Sequence, residues 1–191
     1  MAMRTFIAIE IDDWVRGQLA AAQEQLKQVG AGVRWVPPEN IHLTLMFLGD
    51  TPDALLSEAA DRIRACCADI EPFGMRVRGV GGFPNVSRAR VVTVYVEAPE
   101  SLYELNRRLE DAAEALGLGR EERRYTPHLT LGRVKSSKGK ERLAALMGEM
   151  ADRSFGEIAA GEVVFMMSEL SPAGSRYTPL ARIPLGAGRD R

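Results

Sequence analysis

Asn40-Ile41-His42-Leu43-Thr44-Leu45-Met46-Phe47-Leu48 decides how the chain is read, because its tetrapeptide His42-Leu43-Thr44-Leu45 returns as His128-Leu129-Thr130-Leu131. The chain has 191 residues and two histidines, so the two copies use the whole histidine inventory. On a β-strand, side chains alternate between faces. His42 and Thr44 then share one face while Leu43, Leu45 and Phe47 turn to the core, and His128 and Thr130 stand opposite Leu129 and Leu131 in the same way. Each strand offers one imidazole and one hydroxyl.

The recurrence extends outward from the tetrapeptide. With an offset of 86, Phe6 falls on Val92 and Leu19 on Leu105; farther on the offset becomes 82, and Phe73-Gly74 falls on Phe155-Gly156, Gly79 on Gly161 and Phe83 on Phe165. Each half reads strand, helix, His-x-Thr strand, helix, strand or hairpin. A duplicated unit packing about a pseudo-twofold axis would bring both histidines to one cleft.

Local patterns fill in the elements. Arg4 to Ile11 reads as a strand apolar on both faces, and Asp12 or Asp13 caps a helix to about Val29 in which Trp14, Leu19, Ala22 and Leu26 recur at helical spacing. Thr51 is a candidate cap and Pro52 a first-turn residue for a second helix. Strands near Phe73–Val80 and Arg90–Glu97 flank a glycine-rich turn from Gly79 to Asn85 that holds Gly81-Gly82. A helix follows from about Pro99 to Leu116, then the second His-x-Thr strand and a helix from about Lys140 to Met150. The closing strands lie near Glu157–Leu170, with a break at Gly161, and Tyr177–Leu185. Residues 1–185 are expected to form one domain of two pseudo-symmetric halves carrying the repeated His/Thr pairs, and 186–191 a disordered tail.

Composition narrows the function classes. The apolar fraction of 46% and charged fraction of 27% are those of a soluble globular protein, and no apolar run approaches the length of a bilayer span. No membrane association and no secretory leader are expected. Cys66 and Cys67 are adjacent in a helical pattern and do not suit a disulfide, which points to a reducing cytoplasm. Net charge is −1, yet Arg120 to Arg142 holds eight Lys or Arg against three Glu, a net of +5 around the second tetrapeptide. A basic flank beside the site raises the case for an anionic ligand.

Two His/Thr strands facing one another suit phosphodiester cleavage with neither metal nor cofactor. One neutral imidazole takes a proton from the attacking oxygen, one imidazolium gives a proton to the leaving oxygen, and two hydroxyls hydrogen-bond the non-bridging oxygens. Zinc binding is disfavoured, because two histidines need a further ligand and neither HxH nor HExxH spacing occurs. The two tetrapeptides are equivalent by sequence, so the residues alone leave open which histidine is acid and which base.

Pro37-Pro38-Glu39-Asn40-Ile41-His42-Leu43-Thr44-Leu45-Met46-Phe47-Leu48-Gly49 and Thr126-Pro127-His128-Leu129-Thr130-Leu131-Gly132-Arg133 resemble the two signature segments of the 2H phosphoesterases. The resemblance is closest to the bacterial and archaeal RNA 2′,3′-cyclic phosphodiesterases, long called 2′-5′ RNA ligases (LigT-like). It extends to Arg4-Thr5-Phe6-Ile7-Ala8-Ile9, Arg88-Ala89-Arg90-Val91-Val92 and Arg176-Tyr177-Thr178-Pro179-Leu180. It implies an α+β fold of two lobes, with antiparallel sheets lining a central cleft and helices outside. It also implies hydrolysis of a terminal 2′,3′-cyclic phosphate to a 2′-phosphomonoester, with His42 as proton donor and His128 as proton acceptor.

The family position of Arg133 contacts phosphate. Strict alternation puts Arg133 on the Leu face, and a bulge at Gly132 would be needed to turn it inward. Phe6, Arg176 and Tyr177 are further candidates for substrate binding. The partner expected is RNA with a 2′,3′-cyclic phosphate end, tRNA fragments and small cyclic nucleotides included, with no obligate protein partner and a monomer as the default. Alternatives are ligation of such an end to a 5′-hydroxyl on the same site, or a non-catalytic RNA-end binding module.

Overall fold

The structure, a computed structural model, describes residues 1–118, 124–171 and 174–189. In chain order the elements are β1 (Ala2–Glu10), α1 (Asp13–Lys27), β2 (Val33–Trp35), β3 (His42–Pro52), α2 (Leu56–Cys67), β4 (Phe73–Phe83) and β5 (Val91–Glu97). There follow α3 (Glu100–Ala115), β6 (His128–Val134), α4 (Lys140–Glu149), β7 (Ser154–Ala160), β8 (Glu162–Ser171) and β9 (Gly174–Pro184). The fold is α+β, as expected. The strands form one continuous antiparallel sheet in the order β7-β4-β5-β6-β3-β1-β8-β9, with β2 on β6, rather than separate sheets.

The strand order is symmetric about its centre. Outward from the centre, one half runs β3-β1-β8-β9 and the other β6-β5-β4-β7. The halves exchange strands: β4, from the first half of the chain, pairs with β5, and β8, from the second, pairs with β1. The break at Gly161 is present, since β7 ends at Ala160 and β8 begins at Glu162. The match of Phe6 with Val92 needs correction by one residue. Phe6 faces Phe47 and Val91 faces Arg133, so Phe6 is equivalent to Val91.

Helix α1 shows how the core is built. The Asp12 carboxylate accepts from the Val15 N–H at 2.8 Å, capping the helix. Val15, Leu19, Ala22 and Leu26 then recur on one side and are fully buried. Each such Val or Leu contributes about 1.5–3 kcal/mol on burial. Trp14, assigned to that stripe by spacing, falls off it and is 70% exposed. Both faces of β1 are covered: Ile7 and Ile9 join the main core, while Phe6 and Ala8 pack with Val164 and Met166 on the other side.

Matched β-bulges position the site. On β3, Thr44 faces Ala8 and Met46 faces Ile7, so Leu45 is the extra residue. On β6, Thr130 faces Thr93 and Gly132 faces Val92, so Leu131 is extra. Each bulge shifts the side chains beyond it by one face. Leu45 and Met46 are buried in succession, as are Leu131 and Gly132, and Phe47 and Arg133 come out on the His/Thr face. Phe47 is therefore not a core residue as alternation predicts; it is 65% exposed.

A bulge breaks the ladder and leaves carbonyls to be satisfied elsewhere. The Asn106 amide of α3 donates to the Leu45 carbonyl at 3.0 Å. The Gln23 amide of α1 donates to the Leu131 carbonyl at 2.8 Å and to the Val36 carbonyl at 2.8 Å. Each helix thus pins the bulge of the opposite half.

Three further expectations change. Thr51 is no helix cap; β3 runs on to Pro52, and the buried Thr51 hydroxyl bonds that of Thr5 at 2.7 Å. Gly81-Gly82 is no turn. Both lie in β4 opposite Thr93 and Val92, and a Cβ on Gly81 would sit 2.2 Å from the Tyr95 ring, so the glycine makes room for that ring. In the tail expected to be disordered, Ala187–Arg189 forms a 3₁₀ turn, held as Gly186 and Gly188 N–H groups donate to the Cys67 and Ala68 carbonyls; residues 190–191 lie outside the described residues. Among the described residues, no helix is long and apolar enough to cross a membrane.

Asn106→Leu removes the donor from the buried Leu45 carbonyl while keeping side-chain bulk. It should lower stability by about 1–3 kcal/mol, seen as a lower urea midpoint at an unchanged slope. An unshifted midpoint would contradict the role given to this bond.

Candidate active site

Strands β3 and β6 meet at one register position, Leu43 opposite Leu129. In an antiparallel pair that register sets His42 across from Thr130 and Thr44 across from His128. All four lie on the same face, as both leucines are fully buried on the other. The sequence-predicted quartet is brought together. Beyond this point β6 is covered by β2, whose Trp35 faces Gly132 and whose Arg34 faces Arg133.

Each imidazole is oriented by its own backbone. His42 Nδ1 donates to the Asn40 carbonyl at 2.9 Å, and His128 Nδ1 to the Thr126 carbonyl at 2.7 Å. A neutral ring with Nδ1 protonated keeps a lone pair on Nε2, the nitrogen left for chemistry. Asn40 is itself fixed, its amide donating to the Ser175 carbonyl of β9 at 2.8 Å. Arg16 holds the approach to β3 by donating to the Ile11 and Pro38 carbonyls, both at 2.9 Å.

Aromatic rings wedge both histidines. Phe6 stacks on His42 with centroids 4.9 Å apart, and Tyr177 meets His42 edge-on at 5.2 Å. Phe83 meets His128 edge-on at 4.9 Å and touches Tyr95 at 6.0 Å. Burial pushes the His42 pKa down to about 4, against the upward pull of the Asn40 carbonyl and of Glu10; Arg16 adds to the depression. His128 is also lowered, by burial first, then by the Arg133 charge, with the Thr126 carbonyl opposing. Burial thus disfavours the charged form of both rings in the free protein. Their charged neighbours nonetheless differ in kind: Glu10 faces His42 across β1, whereas Arg133 sits near His128.

The cleft has a volume of about 550 Å³, and its wall includes His42, Thr44, Thr130, Arg133 and Tyr177. The bulge at Leu131 supplies the inward turn that Arg133 needs. Phe6 reaches the cleft only with an edge; it is 2% exposed, so it supports His42 rather than offering a face to a base. Arg176 lies between Ser175 and Tyr177 on β9, and those two residues face the cleft while Arg176 projects from the other side of the strand. Of the basic flank, Arg133 and Lys135 line the cleft; Arg120 and Arg123 lie outside the described residues. Among the described residues, no group of three or more His, Cys, Asp or Glu could hold a metal ion.

Sequence reasoning missed Asn40, Phe47, Phe83, Arg4 and Arg34 as parts of the site. Phe47 and Arg133 are 86 apart, the spacing of the histidines, so the offset held a signal that these two share a role-bearing position. Phe83 matches Phe165 at the offset of 82, but that match does not point to His128, which Phe83 reaches through the strand exchange.

The 2′-5′ RNA ligase superfamily matches residues 12–168. The RNA 2′,3′-cyclic phosphodiesterase of Methanothermobacter thermautotrophicus is 39% identical over 180 residues, covering 94% of this chain and 97% of that protein. The crystal structure of TT0787 of Thermus thermophilus superposes with a TM-score of 0.82 at 32% identity, covering 96% of this chain and 98% of that one. The apo structure of E. coli LigT superposes with a TM-score of 0.74 at 26% identity, over 96% and 98% of the two chains.

The depressed His42 pKa carries a stability consequence. The unfolded histidine binds its proton below about pH 6.5, the folded one only near pH 4, so between these values the unfolded state holds more protons. Stability therefore falls as pH drops through this window. His42→Asn should remove about 3 kcal/mol of that decline by pH 4, measured as the difference in urea-unfolding free energy between pH 7 and pH 4. Equal pH dependence in the variant and the parent would contradict it.

Proposed function

The chain belongs to the 2′-5′ RNA ligase superfamily, and from that premise we propose that it is a metal-independent RNA 2′,3′-cyclic phosphodiesterase working through two histidines. The observation that carries this reading is the Leu43–Leu129 register, with His42, Thr44, His128 and Thr130 on one sheet face. Relatives named RNA 2′,3′-cyclic phosphodiesterase cover nearly the whole chain at 39% and 35% identity.

In this mechanism His128 Nε2 accepts a proton from water as its oxygen attacks phosphorus. The bond from phosphorus to the 3′ oxygen breaks, and protonated His42 Nε2 gives its proton to that oxygen. The product is a 2′-phosphomonoester with a free 3′-hydroxyl. Thr44 and Thr130 donate hydrogen bonds to the non-bridging oxygens as charge gathers there, and Arg133 adds a fixed positive charge. Among the charged neighbours, Glu10 favours the imidazolium at His42 while Arg16 opposes it, and Arg133 favours the neutral base at His128; the division into acid and base follows the family resemblance.

Burial holds His42 neutral in the free protein, so the substrate must help to charge it. A bound phosphate anion pulls both histidine pKa values upward. The acid and base limbs of the kcat profile should therefore lie at higher pH than those of kcat/KM. Coincident limbs would contradict substrate-assisted protonation.

His42→Ala and His128→Ala should each lower the rate of opening a 2′,3′-cyclic phosphate terminus by about 100-fold or more. The parent should release only the 2′-phosphate and keep its rate in EDTA. Near-normal turnover in either variant, or loss of activity on chelation, would overturn the two-histidine mechanism.

A further inference from the structure

The cleft wall holds Arg4, Arg34, Arg133 and Lys135, and among the described residues no acidic side chain lines it. Among the described residues none of these four forms an ion pair. One cyclic phosphate, already met by two histidines, two threonines and Arg133, does not account for the remaining cations.

Their placement is specific. Arg34 on β2 faces Arg133 on β6 directly, and Lys135, just past the end of β6, lines the same cleft. Like charges opposed across a strand pair destabilise the sheet unless an anion lies between them. Gly132 makes this arrangement possible, since a Cβ there would stand 2.9 Å from Trp35 and 2.7 Å from Val33 and would push β2 away. Neighbouring strands lie about 4.8 Å apart, and alternate residues on one strand are about 6.6 Å apart. Arg34 and Lys135 therefore stand about one nucleotide step from the phosphate held by Thr130 and Arg133. Both side chains are exposed and free to reach a backbone phosphate.

We propose that Arg34 and Lys135 form a second phosphate subsite, which takes the phosphodiester one nucleotide upstream of the cyclic end. The inference rests on the cyclic phosphodiesterase reading, and it narrows the substrate class to the 3′ end of a single RNA strand rather than a mononucleotide. A groove that follows the backbone through its charges reads length and not sequence.

The test compares a nucleoside 2′,3′-cyclic monophosphate with a trinucleotide ending in the same base and cyclic phosphate. The parent should show a kcat/KM about 10-fold or more higher for the trinucleotide, expressed mainly in KM, and a steeper decline of its logarithm with log salt. The extra slope should be about 0.7 per additional phosphate. The double variant Arg34→Ala/Lys135→Ala should lose that advantage and the extra slope, with a much smaller fall in kcat/KM on the monophosphate than on the trinucleotide and an unchanged urea midpoint. Equal loss on both substrates, or no length preference in the parent, overturns the subsite. Failure of the parent to open either substrate overturns the underlying reading and the subsite with it.

Discussion

The cleft depends on where β3 meets β6. One register position, Leu43 opposite Leu129, ties the two halves of the sheet at its centre. Because side chains alternate with period two, that position decides the face of every residue near it. A slip of one residue would bury the imidazoles and threonines and expose Leu43, Leu45, Leu129 and Leu131. The four leucines, each at most 2% exposed, make such a slip costly by several kcal/mol. The core thus holds the register, and the register holds the chemistry.

Two devices turn that register into a working surface. The bulges at Leu45 and Leu131 bring Phe47 and Arg133 onto the cleft side, and the buried amides of Asn106 and Gln23 satisfy the carbonyls the bulges expose. Backbone carbonyls two residues before each histidine then fix the ring tautomer. These devices repeat in both halves. Their contents differ: an exposed Phe47 answers Arg133, and Glu10 beside His42 answers Tyr95 beside His128. A symmetric frame with asymmetric charges suits the proposed reaction with separate acid and base.

Much of this is legible in the residues. The repeated His-x-Thr, the strand periodicity and the Asp12 cap depend on local rules, and each can be read from a few neighbouring side chains. Local rules misplace Phe47 and Thr51, because bulges and strand length are set by pairing partners distant in sequence. Phe83 and Arg34 escape notice for a related reason: they reach the site through β4–β5 and β2–β6 pairings that no local pattern announces. Phe6 reads as substrate-facing in the sequence, but its burial against His42 follows from β8 closing over β1. The strand exchange accounts for Phe83 and Phe6.

On this account two neutral, Nδ1-protonated imidazoles stand on one sheet face and respond together to a phosphate. With only two histidines in the chain, nitrogen-15 NMR titration of the imidazole rings addresses the point directly. Both rings should show the Nδ1–H tautomer at pH 7, titrate below about 6.5, and shift to higher pKa on addition of a nucleoside 2′-monophosphate. An Nε2–H tautomer, a free-state midpoint at or above the ordinary histidine value, or a response from only one ring would contradict it.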